Sequence, residues 1–71
     1  MIFAKRRCNR LLGKIVSVWR GENIVAYGKA THSDDYCLYV ETSRRGGKIY
    51  EVPVRYDNVV RLKGNRIYMR Q

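Results

Sequence analysis

Short runs of β-branched and aromatic residues, each ended by a turn within about ten residues, constrain the fold of this chain most. Residues 14–20 form the first run, with Val16 and Val18 on one face of a strand and Ser17 and Trp19 on the other. Glycine, asparagine, aspartate and serine separate this run from the later ones. The pattern predicts strands at 14–20, 24–31, 36–42, 48–55 and 59–62, with 67–70 as an optional last strand.

Five short antiparallel strands predict an all-β protein, a small and strongly bent five-stranded barrel. Gly28 lies inside the second strand, where glycine indicates a bulge or a sharp bend. SH3-like, OB and Sm-like barrels all fit this description, and periodicity does not choose among them. We expect one domain over 1–71, with a basic segment at 1–10 and at most a short helix, a barrel core at 11–62, and a C-terminal turn and optional strand at 63–71.

The small size of the chain limits its core. A chain of 71 residues buries only about 60% of its unfolded surface, so it usually needs a disulfide, a metal or subunit contacts. Cys8 and Cys37 lack the paired spacing of a zinc site, and His32 is the only histidine. We therefore expect no metal or cofactor, Cys37 as a small core residue in a reducing cytosol, and oligomerisation as the added source of stability.

The charge balance points to nucleic acid as the partner. Lysine and arginine number 15 against 6 acidic residues, a formal net charge of +9, and most of the cations are arginines. No apolar run approaches the roughly 20 residues of a membrane span, and no amphipathic helix stands out. Residues 1–4 are followed at once by Lys5, which does not fit a signal peptide. These features predict a cytoplasmic protein that does not bind membranes.

Residues 52–62 predict the first candidate site, because they read as an apolar strand, a tight polar turn and a second apolar strand. The turn places Arg55 and Tyr56 at one point of the surface. A guanidinium beside an aromatic ring suits a phosphate and its base. The structural alternatives are an ion pair of Arg55 with Asp57 or Glu51, and a Tyr56 ring that shields apolar surface.

Other residues carry two interpretations each. Arg44 and Arg45, beside two glycines, form either a flexible RNA-binding loop or a solvated hairpin tip. The cations of residues 5–10 form either a nucleic-acid arm or a solubilising tail. Trp19 is either an exposed stacking platform or an interface residue. Residues 32–34 read His-Ser-Asp, but neighbours in sequence cannot face one another as a hydrolytic triad requires, so we expect no enzyme.

Residues 12–18 are similar to the opening strand of a known family, residues 24–31 and 38–41 to its second and third strands, and residues 54–62 to its closing signature. That signature is an aliphatic residue, Arg, Gly, Asp or Asn, any residue, and then a valine-rich strand. The segments resemble the Sm-like family, which includes the LSm proteins and the bacterial RNA chaperone Hfq. The likeness covers residues 11–62. It implies a bent five-stranded barrel that assembles into rings, in which the fourth strand of one subunit pairs with the fifth of the next and RNA binds around the pore.

The resemblance also implies a set of RNA-binding residues. Arg55 matches the family's arginine and Asp57 its acidic turn position. In one register Tyr36 matches the base-stacking aromatic and Asp34 the orienting acid, and a register shifted by one residue places Asp35 at the acid position and Tyr39 at the asparagine position. The family's glycine is Tyr56 here, and its base-reading asparagine has no counterpart. The implied contacts are therefore stacking by Tyr36 and Tyr56 and phosphate binding by arginine, with Arg44 and Arg45 contributing.

The predicted function is a homo-oligomeric, ring-forming RNA-binding protein that captures single strands, with RNA chaperone activity as one outcome. Two alternatives stay open. The first is a monomeric or dimeric SH3-like or OB-like module that binds DNA or structured RNA. The second is a protein-interaction module that binds no nucleic acid.

Overall fold

The computed structural model describes residues 2–43 and 47–71, and it is mostly β with one short helix. Arg44 and Arg45, which are predicted to contribute to RNA binding, lie outside the described residues. The elements are helix α1 Ile2–Asn9, strands β1 Ile15–Arg20, β2 Asn23–Ser33, β3 Cys37–Ser43, β4 Ile49–Arg55, a 3-10 turn Tyr56–Asn58, and strands β5 Val59–Lys63 and β6 Arg66–Met69.

One sheet contains all six strands, in the order β4-β3-β2-β1-β6-β5. This corrects the prediction of a five-stranded antiparallel barrel in two respects. The optional last strand is present as β6 and lies inside the sheet, and it runs parallel to β1 while every other pairing is antiparallel. The reason is burial, because Ile67 and Met69 on one face of β6 join the core beside β1.

Two glycine turns connect the β1–β2 and β5–β6 hairpins. Gly21 connects β1 to β2 and Gly64 connects β5 to β6, each as the first residue of a two-residue loop and each with positive φ, 63° and 58°. Two-residue hairpin loops with glycine at the first central position match the twist of the strands that they join. The turns therefore set both registers without strain.

The sheet is strongly curled. Strands β4 and β5 occupy its two opposite edges, although only the turn Tyr56–Asn58 separates them along the chain. Gly28 lies at a close contact within this sheet, because a Cβ at this position would lie 1.8 Å from the carbonyl oxygen of Glu41 on β3. Glycine thus permits an approach of β2 to β3 that no other residue allows.

The core lies inside the curl, and helix α1 covers it. Leu38, Val40, Val54 and Ile67 are almost fully buried, and the helical segment adds Cys8 to them. Cys8 and Cys37 are buried free thiols, and burial agrees with the expectation for Cys37. Desolvation raises the pKa of Cys8 to about 11.

Candidate nucleic-acid interface

The structure brings together most of the site residues predicted from sequence, in a corner formed by the start of β3 and the end of β4. Cys37 pairs with Arg55 in the β3–β4 ladder, and the Tyr56 backbone N–H donates to the Tyr36 carbonyl oxygen at 3.0 Å. The side chain of Tyr36 is 71% exposed. We call this region, with Asp34 and Asp57, the β3–β4 corner.

Arg55 uses its guanidinium within this corner. Its Nε donates to Asp57 Oδ1 at 3.1 Å and its Nη2 donates to Asp57 Oδ2 at 3.0 Å. These hydrogen bonds lower the pKa of Asp57 and raise that of Arg55. The structure therefore contains the ion pair with Asp57 that competed with the RNA-binding interpretation, and the charge of Arg55 is largely balanced.

Asp34 anchors the turn before β3. Its Oδ1 accepts from the backbone N–H groups of Tyr36 and Cys37, both at 2.8 Å, and its Oδ2 accepts from the Tyr39 hydroxyl at 2.7 Å. The bond from Tyr39, followed by the two backbone bonds, lowers the pKa of Asp34, and it raises that of Tyr39 to about 12. Both carboxylate oxygens are thus committed to shaping the turn.

Tyr56 belongs to the core. Its side chain is only 4% exposed, and its hydroxyl accepts a hydrogen bond from Asn9 Nδ2 at 3.3 Å. Asn9 Oδ1 in turn accepts from the Ser33 hydroxyl at 2.5 Å. Tyr56 therefore fastens helix α1 to the end of β4, and its buried ring offers no face to a base.

The β3–β4 corner is also unfavourable for a polyanion. Asp34, Asp35 and Asp57 all lie here, and the two nearby cations are already paired, Arg55 with Asp57 and Lys5 with Asp35 at 3.0 Å. Three carboxylates against two cations leave no excess of positive charge among these residues. Tyr36 remains accessible, but no arginine described in this corner is free of a carboxylate partner and able to hold a phosphate.

Positive charge is concentrated elsewhere. Segments 1–21 and 58–71 contain ten of the 15 lysines and arginines and no acidic residue. These segments supply helix α1 and strands β1, β6 and β5, and the three strands are neighbours in the sheet. Among the described residues, Arg61, Lys63 and Arg66 form no ion pair. One half of the sheet is therefore strongly basic, which favours contact with phosphates.

Aromatic rings lie among these cations on the outward face of the basic half. Trp19 on β1 is the register partner of Tyr68 on β6, and Tyr68 is the partner of Arg61 on β5. The two ring centroids are 6.1 Å apart with an interplanar angle of 28°. The guanidinium of Arg61 lies 5.8 Å from the Tyr68 centroid, and that of Arg66 lies 5.6 Å from the Trp19 centroid. We call these four residues the aromatic–arginine row.

A large cavity adjoins this row between β1, β2 and the β5–β6 turn. It has a volume of about 720 Å³. The Trp19 indole N–H donates to the Ser17 hydroxyl at 2.9 Å, and Asn65 Nδ2 donates to the Ile15 carbonyl oxygen at 3.0 Å. We call this space of about 720 Å³ the hairpin-turn cavity. Its lining residues are Ile15, Val16, Ser17, Trp19, Ile24, Tyr27, Lys63, Gly64, Asn65 and Arg66.

A second cavity, of about 300 Å³, borders strand β5. Residues 59–62 line it on one side and Ala4 and Arg7 of helix α1 on the other. Because β5 is an edge strand, part of its backbone has no partner within the sheet. We call this cavity the β5-edge groove.

The sequence indicated Trp19 as either a stacking platform or an interface residue, but it did not single out Arg61, Arg66 and Tyr68 as candidates. One signal for them exists, because residues 66–69 alternate between polar and apolar side chains and place Arg66 and Tyr68 on one face. The alternation does not show that β6 pairs with β1. Only that parallel pairing brings Tyr68 beside Trp19.

Comparisons of the chain with protein-family models, with curated protein sequences and with solved structures gave no match. Within residues 2–43 and 47–71, no cluster of three or more His, Cys, Asp or Glu side chains is suited to hold a metal ion. In the same part of the chain, no helix is both long enough and apolar enough to cross a membrane.

Proposed function

We propose that this protein binds single-stranded RNA on the basic half of its sheet, along the aromatic–arginine row. The observation that carries the proposal is the contact of Trp19 and Tyr68 with each other and with two arginines that have no carboxylate partner among the described residues. Single-strand binding proteins combine a positively charged surface with aromatic rings on which bases stack. The β3–β4 corner exposes the Tyr36 ring, but the cations described there, Arg55 and Lys5, are both paired with carboxylates.

Each group in the row has a role in the proposed binding. Arg61 and Arg66 hold successive phosphates, and Trp19 and Tyr68 stack bases. The indole N–H of Trp19 is satisfied by Ser17, so the ring acts through its face and not through a hydrogen bond to the base. The binding involves no bond-making chemistry, and the two free thiols fit a reducing cytoplasm.

A comparison of two aromatic substitutions tests this assignment. Trp19→Leu keeps apolar bulk but removes the stacking surface, and we expect it to weaken binding of a single-stranded RNA about tenfold, since stacking contributes about 1–3 kcal/mol per base. Tyr36→Leu makes the matched change in the β3–β4 corner, and we expect less than a twofold effect. Fluorescence anisotropy gives both affinities, and urea unfolding verifies that both variants fold. A loss with Tyr36→Leu alone would move the site to the corner.

We also propose that the chain forms a homo-oligomeric ring of the Sm-like kind. Two features support this. Strands β4 and β5 are the two edges of the sheet, and each edge carries exposed apolar residues, namely Ile49 on β4 at 66% and Val60 on β5 at 58%. The β5-edge groove offers space beside the unpaired edge for an incoming strand.

A further inference from the structure

We infer that the hairpin-turn cavity binds a guanine base from the RNA strand held on the aromatic–arginine row. This inference rests on the proposed function, because the row must place the strand beside the cavity. Trp19 and Arg66 belong to both the row and the cavity wall, so a strand on the row passes its edge.

The walls of the cavity suit a flat, apolar ring. Trp19 and Tyr27 contribute aromatic surface, and Ile15 and Ile24 contribute aliphatic surface. Three apolar side chains around this cavity are at least half exposed, at 50% for Ile15, 52% for Ile24 and 62% for Tyr27. Exposed apolar side chains grouped around a concave surface indicate a binding site, and a base is the part of RNA that such walls accept.

The polar rim of the cavity selects among the bases. Lys63 and Arg66 can only donate hydrogen bonds. Asn65 has committed its Nδ2 to the Ile15 carbonyl oxygen, which leaves its Oδ1 as an acceptor. The rim thus presents two cationic donors and one amide acceptor to an entering base.

Guanine matches this arrangement best. Its O6 and N7 are adjacent acceptors, the edge that arginine and lysine read most often, and its N1–H and N2–H₂ groups can donate to Asn65 Oδ1. Adenine places its N6 amino donor beside N7, and cytosine offers its N4 amino donor, so either base would direct a donor at Lys63 or Arg66. Uracil offers acceptors and one N–H, but its single ring covers less of Trp19 and Tyr27.

The test measures the affinity of four RNA nonamers in which one base is varied between two tetracytidine flanks. We expect the nonamer with guanine to bind about tenfold more tightly than the nonamer with adenine, because one good bidentate contact usually discriminates between bases by about this factor. The nonamer with uracil should have an intermediate affinity. We expect Lys63→Gln to reduce this guanine preference at least threefold. Lys48→Gln removes the same charge outside the cavity and should leave the preference unchanged. In a ¹⁵N-edited NMR titration with guanosine monophosphate, the Trp19 indole N–H should shift.

Each outcome has one meaning. Equal binding of the four nonamers, or a guanine preference that survives Lys63→Gln, overturns the guanine site while the single-strand function stands. A shift confined to residues outside the hairpin-turn cavity also overturns it. Failure of all four nonamers to bind overturns the proposed function together with this inference.

Discussion

Two arginines show how the neighbours of a side chain decide what its charge is available for. Arg55 sits in the more suggestive sequence, next to a tyrosine in a turn, but a carboxylate two residues away accepts both of its hydrogen bonds. Arg61 lies in a strand with no suggestive motif, and its guanidinium packs over the Tyr68 ring. Its positive charge has no carboxylate partner among the described residues. The sequence pattern predicts arginines beside aromatic rings, but local pairing decides which of these arginines keeps its charge available to a partner.

Asp34 gives a prediction for acid stability. Its folded-state pKa is lowered by Tyr39 and two backbone donors, so the unfolded chain binds a proton more readily than the folded protein does. Its contribution is therefore present above the unfolded aspartate pKa of about 3.9 and is lost as the pH falls through the lower folded value. We expect the free energy of unfolding to decrease below about pH 4. A ¹³C NMR titration in which the Asp34 carboxyl titrates above 4 would contradict this account.

Gly28 gives a prediction about packing. A methyl group at this position would lie 1.8 Å from the Glu41 carbonyl oxygen, and that oxygen belongs to the backbone of β3 and cannot move alone. We expect Gly28→Ala to lower the free energy of unfolding by at least about 2 kcal/mol, because β2 and β3 must separate. Thr31→Ala, at an exposed position on the same strand, serves as the control in urea unfolding. Equal midpoints for the two variants would show that the approach of β2 to β3 is not required.

At the scale of elements, helix α1 depends on one polar side chain as well as on its apolar contacts. Asn9 bonds to the Lys5 carbonyl oxygen, to the Tyr56 hydroxyl and to the Ser33 hydroxyl. Asn9→Ala removes the partner of both hydroxyl groups, and we expect it to cost about 1–3 kcal/mol. Arg10→Ala, an exposed neighbour, should cost much less.

Cys8 reports directly on the docking of that helix. Burial raises the pKa of its thiol to about 11, so little thiolate exists at pH 8 and alkylation by iodoacetamide should be slow in the folded protein. We expect Asn9→Ala to accelerate Cys8 modification, identified by mass spectrometry, and Arg10→Ala to leave it unchanged. Rapid modification of Cys8 in the unsubstituted protein would show that the helix is not held against the core.

The strands were predictable because their signals are local. The boundaries predicted from β-branched runs and turn residues agree with the structure within one or two residues for most strands. The position of β6 between β1 and β5 was not predictable from sequence. Alternation of polar and apolar residues indicates which face of a strand is buried, but it does not indicate which strand lies beside it. The helix over residues 2–9 gave a weak signal, because three of its eight residues are cations and Cys8 is the one fully buried core side chain described in it.

At the scale of the whole molecule, net charge predicts the class of partner but not the surface that meets it. The excess of +9 is a property of composition, whereas the basic half of the sheet arises when folding brings the two acid-free ends of the chain together as β1, β6 and β5. That arrangement depends on a parallel pairing between residues about 50 positions apart. Local motifs, which depend only on residues close together in sequence, therefore predicted a site at the β3–β4 corner instead.

The proposed ring makes a prediction about mass. In light scattering we expect a species several times 8.4 kDa, because pairing of β4 with the β5 of a neighbour would cover both edges of the sheet. Val60→Glu introduces a charge at the β5-edge groove and should shift this species towards the monomer. Val25→Glu is the matched control, an exposed valine on the interior strand β2. A monomer at low salt, or equal effects of the two variants, would contradict the ring.

The dependence of RNA affinity on salt tests the central claim most directly. The measurement compares the unsubstituted protein with Arg61→Gln/Arg66→Gln and with Lys29→Gln/Lys48→Gln, which removes the same charge from positions outside the row. We predict a steep loss of affinity with salt for the unsubstituted protein. We predict a slope smaller by about 1.4 for the arginine pair, at about 0.7 per phosphate contact in a single strand, and a nearly unchanged slope for the lysine pair. Equal slopes for the two variants, or salt-independent binding, would contradict the assignment of the aromatic–arginine row as an RNA-binding surface.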